Sequence, residues 1–134
     1  MEFEFIPWET DVAIEYLPML PIQLNGFSIG NGLVDTGATI TILPMDLLDV
    51  LGIDLDREHS ITMNHAGGGT FPVTPGSRKV TYCIEHSGFR PIQWKGTVFF
   101  SPKQDTILLG HYECLDQLIL TLDGPKRKLR VETA

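Results

Sequence analysis

The sequence predicts a mainly β fold, closed or sandwich-like, with one or two short helices. Short apolar stretches rich in β-branched residues recur along the whole chain. Thirteen glycines and nine prolines are spread between them, as turn residues are between short strands. Asn25-Gly26 separates two of the stretches and is the strongest short-range signal of a β-hairpin. At 134 residues the chain can bury a core of its own, so we expect a single domain over residues 1–134.

The first half of the chain divides into an irregular start, a series of strands and one helix. Residues 1–11 show no clear alternation, and we expect them to be an irregular N-terminal segment. Strands are predicted at residues 12–17, 21–24, 27–29, 33–34 and 39–43. Pro44 suits the first turn of a short helix with an apolar stripe at residues 47–51, which Gly52 can end.

The second half is predicted to hold a hairpin with a glycine-rich tip, further strands and a second helix. Residues 61–63 and 71–73 form the arms of this hairpin and flank a flexible tip at residues 65–70. Strands are predicted at residues 79–85, 92–100, 105–109, 118–122 and 129–131, and a short helix at residues 111–117. Asp123-Gly124-Pro125 turns the chain into the last strand.

Charge and hydropathy exclude several classes of partner. The net charge of −7 argues against a nucleic-acid partner. The one basic run, residues 126–130, is interpreted as a solvated edge strand or tail. Residues 1–5 are acidic and lack the basic start and apolar core of a signal peptide, and no apolar run is long enough to span a bilayer. We therefore expect a cytoplasmic protein without a membrane partner.

Residue types that often carry metal or thiol chemistry are present but scattered. The histidines show no spacing typical of metal ligands: His59, His65, His86 and His111. Cys83 lies in a predicted strand and Cys114 in a predicted helix, and each is expected to be a small buried apolar residue and not a nucleophile. No metal site is therefore predicted.

Residues 33–39 carry the most chemical information. Asp35 follows two apolar residues, so a strand carries it out of the interior. Gly37 permits a tight turn with close backbone approach, and Thr36 places a hydroxyl beside the acid. Such a turn can hold a carboxylate rigidly at the end of a strand. From composition alone an ordinary Asp/Gly turn remains an open alternative, because a bare Asp-Thr-Gly triplet is a weak motif.

The order of three segments resembles that of retropepsin-like aspartic proteases. Residues 33–44 are similar to the family's active-site segment, in which Asp-Thr/Ser-Gly-Ala follows an apolar pair. The hairpin at residues 62–73 stands where the family has its flap, and its tip would contact substrate: Ala66, Gly67, Gly68 and Gly69. Leu108-Leu109-Gly110 matches the psi-loop segment that packs beneath the catalytic loop. An ordered set of this kind is more specific than any one motif.

The resemblance covers roughly residues 12–131 and is greatest to the stand-alone bacterial members of the family. It implies a closed β-barrel with one or two short helices. Pepsin-like enzymes carry two aspartate loops in one long chain, whereas this sequence contains a single Asp-Thr-Gly. The chemistry needs two carboxylates, so the resemblance implies a homodimer whose site lies on a two-fold axis.

The resemblance also implies an activity, that of an aspartic endopeptidase without cofactor or metal. One Asp35 would act as general base on a water, and the protonated Asp35 of the second chain would bind the scissile carbonyl. Thr36, Gly37 and Ala38 would support this loop, with the Thr36 hydroxyls linking the two copies and Gly37 contacting an extended peptide. The flap tip would close over that peptide. Apolar residues near the site imply hydrophobic side chains flanking the cut.

Two departures and two alternatives accompany this interpretation. An acidic residue and an arginine that form an ion pair in many retroviral enzymes are replaced by Thr39 and His111, which implies a different dimer interface. The first alternative is a catalytically silent retropepsin-like domain used for dimerisation or peptide binding. The second is a small β-barrel binding module with a chance Asp-Gly turn, which predicts no obligate dimer.

Overall fold

Short apolar stretches between glycine and proline turns form the strands of a mainly β structure. The computed structural model describes residues 1–65 and 67–134. Within these residues there are fourteen strands: β1 Glu2–Glu4, β2 Ile6–Glu9, β3 Ile14–Leu17, β4 Met19–Leu24, β5 Phe27–Val34, β6 Ile42–Pro44, β7 Ile61–Asn64, β8 Thr70–Pro75, β9 Val80–Ile84, β10 Ile92–Gly96, β11 Phe99–Ser101, β12 Ile107–Leu109, β13 Ile119–Asp123 and β14 Lys128–Glu132. In the same described residues, helical structure is limited to α1, Leu47–Leu51, and two 3₁₀ turns at Arg57–His59 and Leu115–Gln117.

Nine strands pair in one sheet, in the order β10-β9-β4-β5-β12-β6-β11-β8-β7. β12 lies between β5 and β6 and is distant in sequence from both. It runs parallel to β5, with Leu109 opposite Val34, and antiparallel to β6, with Leu108 opposite Ile42. The prediction of a mainly β fold is therefore confirmed.

The expected closure into a barrel is not found in the pairing of the described residues. The sheet has two ends, β7 and β10, and each pairs with a single neighbour in that sheet. On β10 the exposed Lys95 places a charge at this edge, and a charge on an edge strand disfavours further pairing. The observed architecture is an open nine-stranded sheet with two smaller sheets beside it.

The Asn25-Gly26 hairpin forms as predicted. Both residues have positive φ, 51° and 82°, as a two-residue type I′ turn requires. The Asn25 side chain also accepts a hydrogen bond from the Thr81 backbone N–H at 2.9 Å. The turn thereby anchors the β4–β5 pair, which carries the candidate site, to β9.

The main core contains side chains of this sheet, of α1 and of β14. Its largest fully buried side chains come from β4, β6, β9, β11 and neighbouring segments: Tyr82, Phe100, Leu20, Ile22, Leu24, Leu43, Ile84, Leu109 and Leu129. Burial of apolar area on this scale is the main stabilising term of a domain of this size. Both cysteines are buried free thiols, as predicted, and burial raises the pKa of the Cys114 thiol to about 11. Such a thiol stays protonated at neutral pH and is a poor nucleophile.

The prediction of an irregular segment over residues 1–11 is wrong. β1 pairs with β14, with Phe3 opposite Leu129, and β2 pairs with β3, with Trp8 opposite Glu15. The Phe3 side chain packs against the main core. Local sequence could not show this, because the partner of β1 lies at the other end of the chain.

The basic run also differs from its prediction as an edge strand or tail. β14 is the central strand of the three-stranded sheet β1-β14-β13. Lys128 lies 3.1 Å from Glu4, and Arg130 lies 3.4 Å from Glu2, so acidic side chains of β1 compensate these charges.

Several helix and strand boundaries differ from the predictions, and the strands predicted at residues 27–29 and 33–34 form the single strand β5. Pro44 ends β6, and α1 begins after it, although Gly52 with φ 64° ends the helix as expected. Residues 92–100 form two strands, β10 and β11. The helix predicted at residues 111–117 is reduced to the 3₁₀ turn Leu115–Gln117, because Glu113 has φ 53° and breaks helical geometry.

Glu113 adopts this conformation while accepting hydrogen bonds from three neighbours. Its carboxylate accepts hydrogen bonds from Lys79 Nζ at 2.6 Å and from the Thr97 hydroxyl at 2.7 Å. Its carbonyl accepts one from Trp94 Nε1 at 3.0 Å. A Cβ at Gly96 would collide with that carbonyl, so only glycine allows the approach. The hydrogen bond from Lys79 is the largest of the effects that lower the pKa of Glu113.

Glu113→Gln should reduce stability at neutral pH by about 1 kcal/mol and flatten the acid limb of the stability profile. A carboxyl whose pKa is lowered in the folded state stabilises the protein above its unfolded pKa. That contribution disappears as the pH falls below 4.5 and through the folded value. Urea unfolding from about pH 3 to about pH 7 measures both effects. Glu132→Gln, at an exposed position, is the matched control. Stability profiles that run parallel for the wild type and both variants would contradict the expectation.

Candidate active site

Asp35 lies at the carboxyl end of β5, where main-chain bonds hold it from both sides. The Val34 N–H donates to the Pro18 carbonyl at 2.9 Å, and the Asp35 N–H donates to the Leu109 carbonyl at 3.1 Å. Asp35 is half-buried, and the next two residues are exposed. The strand therefore carries the acid from the core to the surface, as the apolar pair before it predicts.

The turn after Asp35 fixes the orientation of its carboxylate. The Gly37 N–H donates to Asp35 Oδ1 at 2.9 Å, and the Ala38 N–H donates to the Asp35 carbonyl at 3.1 Å. A Cβ on Gly37 would stand 3.4 Å from the same Oδ1. This is an Asx turn, in which an acid bonds the backbone two residues on.

The segment Leu108-Leu109-Gly110 is brought directly beneath this turn. The Gly110 N–H donates to the buried Thr41 hydroxyl at 3.1 Å. A Cβ on Gly110 would collide with the backbone of Ile40, so a larger residue has no room there. The structure thus brings the Asp35 turn into contact with Leu108-Leu109-Gly110, which the sequence analysis identified as a separate segment.

Thr39 and His111 stand where the ion pair is absent, and other hydrogen bonds connect the two segments that contain them. The His111 N–H donates to the Ala38 carbonyl at 3.0 Å, and the Tyr112 N–H donates to the Thr39 carbonyl at 2.8 Å. In addition, His111 Nε2 lies 2.5 Å from the Thr36 carbonyl oxygen. The loop is therefore tied to the segment after β12 without an ion pair between these two residues.

Thr41→Val should lower the free energy of unfolding by about 2 kcal/mol, because the buried Gly110 N–H would lose its acceptor. Valine keeps the shape of threonine but has no hydroxyl. Thr41→Ser keeps the hydroxyl and loses only a methyl group, so it should cost about 1 kcal/mol. Urea unfolding of the three proteins measures the difference. A valine variant as stable as the wild type would show that this bond contributes nothing.

The glycine-rich segment forms the tip of the β7–β8 hairpin, as predicted. Met63 pairs with Phe71 across the hairpin, and the His65 N–H donates to the Gly69 carbonyl at 3.0 Å. Gly68 and Gly69 have φ values of 93° and 79°, which glycine adopts without strain. The tip is exposed over Gly67–Gly69, and Ala66 lies outside the described residues.

An apolar cluster joins this hairpin to the strand that follows the Asp35 turn. Its buried members are Ile40, Ile42 and Val73. Half-buried apolar side chains from β7, β8, β11 and β12 pack against them: Met63, Phe71, Phe99 and Leu108. The partly exposed side chains of this cluster form an apolar surface shared by the hairpin and the loop segment.

Sequence reasoning missed Thr41 and the side chain of His111 as parts of the site. A threonine inside the apolar run of residues 40–43 was the one available signal for a buried hydroxyl. It also missed a groove of about 390 Å³ that Trp8 and Asp105 help to line. Asp35 does not line this groove.

Two further properties concern metal binding and membrane crossing in residues 1–65 and 67–134. In that part of the chain, no group of three or more His, Cys, Asp or Glu side chains is arranged to hold a metal ion. Over the same residues, no helix has both the length and the apolar character that crossing a bilayer requires.

Comparison with known sequences gives a family. A family model described as "Aspartyl protease" matches residues 20–123, which include the Asp35 turn, the β7–β8 hairpin and Gly110. No curated protein matches the chain at a significant level.

Comparison with solved structures gives the fold. A retropepsin-like aspartic protease from Rickettsia conorii matches with a TM-score of 0.62 and 20% identity, over 96% of this chain and 97% of that one. The retroviral protease-like domain of Ddi1 from Leishmania major matches at 0.54 and 15% identity, over 88% and 90%. The EIAV protease in complex with an inhibitor matches at 0.50 and 20% identity, over 71% and 82%. The described residues therefore have a retropepsin-like fold.

Proposed function

This chain belongs to the aspartyl protease family, and we propose on that premise that it is an aspartic endopeptidase active as a homodimer. One observation carries the proposal: Asp35 stands at the end of β5 with its backbone held by β12 and one carboxylate oxygen held by Gly37. A carboxylate fixed at an exposed turn is available for acid–base chemistry on a bound substrate. Residues 1–134 would act as one domain that contributes half of the site.

A second copy of the chain would supply the second carboxylate. The sequence contains one Asp-Thr-Gly, and the residues after Asp35 are exposed in the single chain. A two-fold axis beside this turn would bring two Asp35 side chains together and let the Thr36 hydroxyls link the two loops. β13 is an edge of its sheet and exposes Ile119 and Leu122, which supports burial against another chain.

The mechanism follows from the electrostatics of such a pair. Two carboxylates about 3 Å apart share one proton, because both cannot ionise at that distance. The ionised Asp35 removes a proton from a water, and the water oxygen attacks the scissile carbonyl carbon. The protonated Asp35 of the partner gives its proton to the carbonyl oxygen, which forms a neutral tetrahedral intermediate. The first Asp35, now protonated, gives its proton to the leaving nitrogen, and the C–N bond breaks. The partner's Asp35 takes a proton from a hydroxyl of the intermediate, which leaves a carboxylic acid product and restores the single shared proton.

The substrate would be an extended peptide between the two Asp35 turns and the two β7–β8 hairpins. These hairpins would act as flaps, with their tips at Ala66–Gly69 closing over the peptide to exclude water. The main chain at Gly37 would bind the peptide backbone. The apolar cluster beside the turn, which includes Phe71, Phe99 and Leu108, supports hydrophobic side chains at the positions that flank the cut.

Digestion of an unbiased peptide mixture tests this function. We expect cleavage between apolar residues from mildly acidic to neutral pH, identified by mass spectrometry of the products. A strong preference for charged flanking residues would contradict the substrate class. Absence of cleavage at every pH by a protein that does dimerise would favour the alternative of a silent peptide-binding domain.

Sedimentation at micromolar concentration tests the dimer separately. The expected result is a species of twice the mass of the chain, more abundant in the presence of a peptide inhibitor that occupies both halves of the site. A monomer alone, even with the inhibitor, would contradict the homodimer.

A further inference from the structure

We infer that His111 is a positioning residue that orients the Asp35 carboxylate through a single peptide group. The inference rests on the proposed function and adds a residue to it. His111 follows Gly110 at the end of β12 and is exposed, so nothing in the core requires a histidine there.

The geometry identifies Nε2 as the donor of its side-chain bond. Nε2 lies 2.5 Å from the Thr36 carbonyl oxygen, and a carbonyl can only accept. The Nε2 atom must therefore carry a proton, in the neutral ring as well as in the imidazolium. The backbone N–H of the same residue donates to the Ala38 carbonyl at 3.0 Å. His111 thus holds the turn on both sides of Gly37.

The Thr36 carbonyl and the Gly37 N–H belong to the same planar peptide group. His111 holds the oxygen end of this group, and the nitrogen end donates to Asp35 Oδ1 at 2.9 Å. A rotation of the peptide plane that releases the carbonyl would also swing the N–H away from the carboxylate. The imidazole therefore fixes the direction of the N–H that fixes the carboxylate.

Few other bonds restrain that plane within the turn. The Ala38 N–H closes the turn on the Asp35 carbonyl, but this bond does not involve the Thr36–Gly37 peptide. Thr36 and Gly37 are both exposed, so packing adds little restraint. Loss of the imidazole N–H should let the plane rotate and let the carboxylate sample orientations that are unproductive for catalysis.

Three substitutions at His111 distinguish the role of its N–H donor from the role of its aromatic ring. Glutamine has its amide nitrogen the same number of bonds from Cα as His111 Nε2, asparagine is one bond shorter, and phenylalanine keeps a ring without a donor. We expect kcat to fall about tenfold for His111→Phe and His111→Asn with KM little changed. His111→Gln should recover kcat to within about threefold of the wild type. A loss that glutamine does not restore, or an unchanged kcat for phenylalanine and asparagine, would overturn the inference.

A second measurement does not depend on activity. In the Asp35→Asn protein, correlations between ring protons and ring nitrogens should show neutral His111 as the Nε2–H tautomer. The Gly37 amide should exchange with solvent faster after His111→Phe than after His111→Gln. An Nδ1–H tautomer, or equal exchange in both variants, would overturn the inference even in an active enzyme. If no peptide is cleaved, the proposed function fails, and these two readouts still decide the role of His111.

Discussion

Asp35→Asn is expected to reduce peptide hydrolysis by at least about 10³-fold. Asparagine keeps the size of the side chain, and its Oδ1 can still accept the bond from the Gly37 N–H. The turn should therefore keep its shape. The amide cannot take a proton from water or give one to a carbonyl, and every dimer of the variant lacks both carboxylates. The loss should appear in kcat, measured on a peptide selected from the mixture digestion.

The matched control is Asp49→Asn, which changes an exposed acid on α1 by the same atoms. It should retain activity close to that of the wild type. Thermal unfolding of both variants shows whether the fold is preserved. Full activity in a well-folded Asp35→Asn protein would remove Asp35 from the mechanism.

Gly110→Ala is expected to lower the free energy of unfolding by more than about 3 kcal/mol. The new Cβ would collide with the nitrogen, carbon and oxygen of the Ile40 backbone, and a backbone cannot rotate away as a side chain can. The displacement would also strain the neighbouring bond from the Asp35 N–H to the Leu109 carbonyl. Urea unfolding measures the loss of stability. A Gly110→Ala protein that does not fold at all, and so is not recovered in soluble form, would be the extreme case of the same effect.

Gly67→Ala is the matched control for this substitution. Among the described residues, chain neighbours aside, no atom stands within 4 Å of a Cβ built at Gly67, so the stability of this variant should remain within about 0.5 kcal/mol of the wild type. Equal stability of the Gly110 and Gly67 variants would show that the loop can move aside and that the close approach is not required.

The parts of the fold that local sequence specifies were predictable. Asn25-Gly26 predicted the β4–β5 hairpin, and the glycines at residues 67–69 predicted the tip of the β7–β8 hairpin. Asp35 was predicted at the end of a strand because two apolar residues precede it and a glycine follows. Each of these signals lies within a few residues of the feature it specifies.

The parts that depend on distant partners were not predictable. β1 is a strand because it pairs with β14, more than a hundred residues later. The helix predicted after Gly110 is replaced by turns because Glu113 bonds Trp94, Lys79 and Thr97 instead. Tertiary contacts of this kind override local propensity.

The same distinction between local signals and distant contacts applies to the candidate site. The acid was predicted from the residues around it, and the two glycine-containing segments were predicted from the resemblance to retropepsin-like proteases. The bond from His111 to the Thr36 carbonyl joins residues 75 positions apart, and that from Gly110 to Thr41 joins residues 69 apart. Neither contact leaves a periodic pattern in the sequence, so only the folded chain shows them.

The central claim is that each of two chains contributes one Asp35 to a shared site, and mixing of subunits tests it most directly. Wild-type protein at a fixed concentration is equilibrated with increasing amounts of Asp35→Asn, and peptide cleavage is followed. If mixed dimers are inactive, activity falls to about half with an equal amount of variant and to about a tenth with about a ninefold excess, whereas the same additions of Asp49→Asn raise it. Wild-type activity that stays constant as Asp35→Asn is added, with exchange of subunits confirmed, would contradict the shared site.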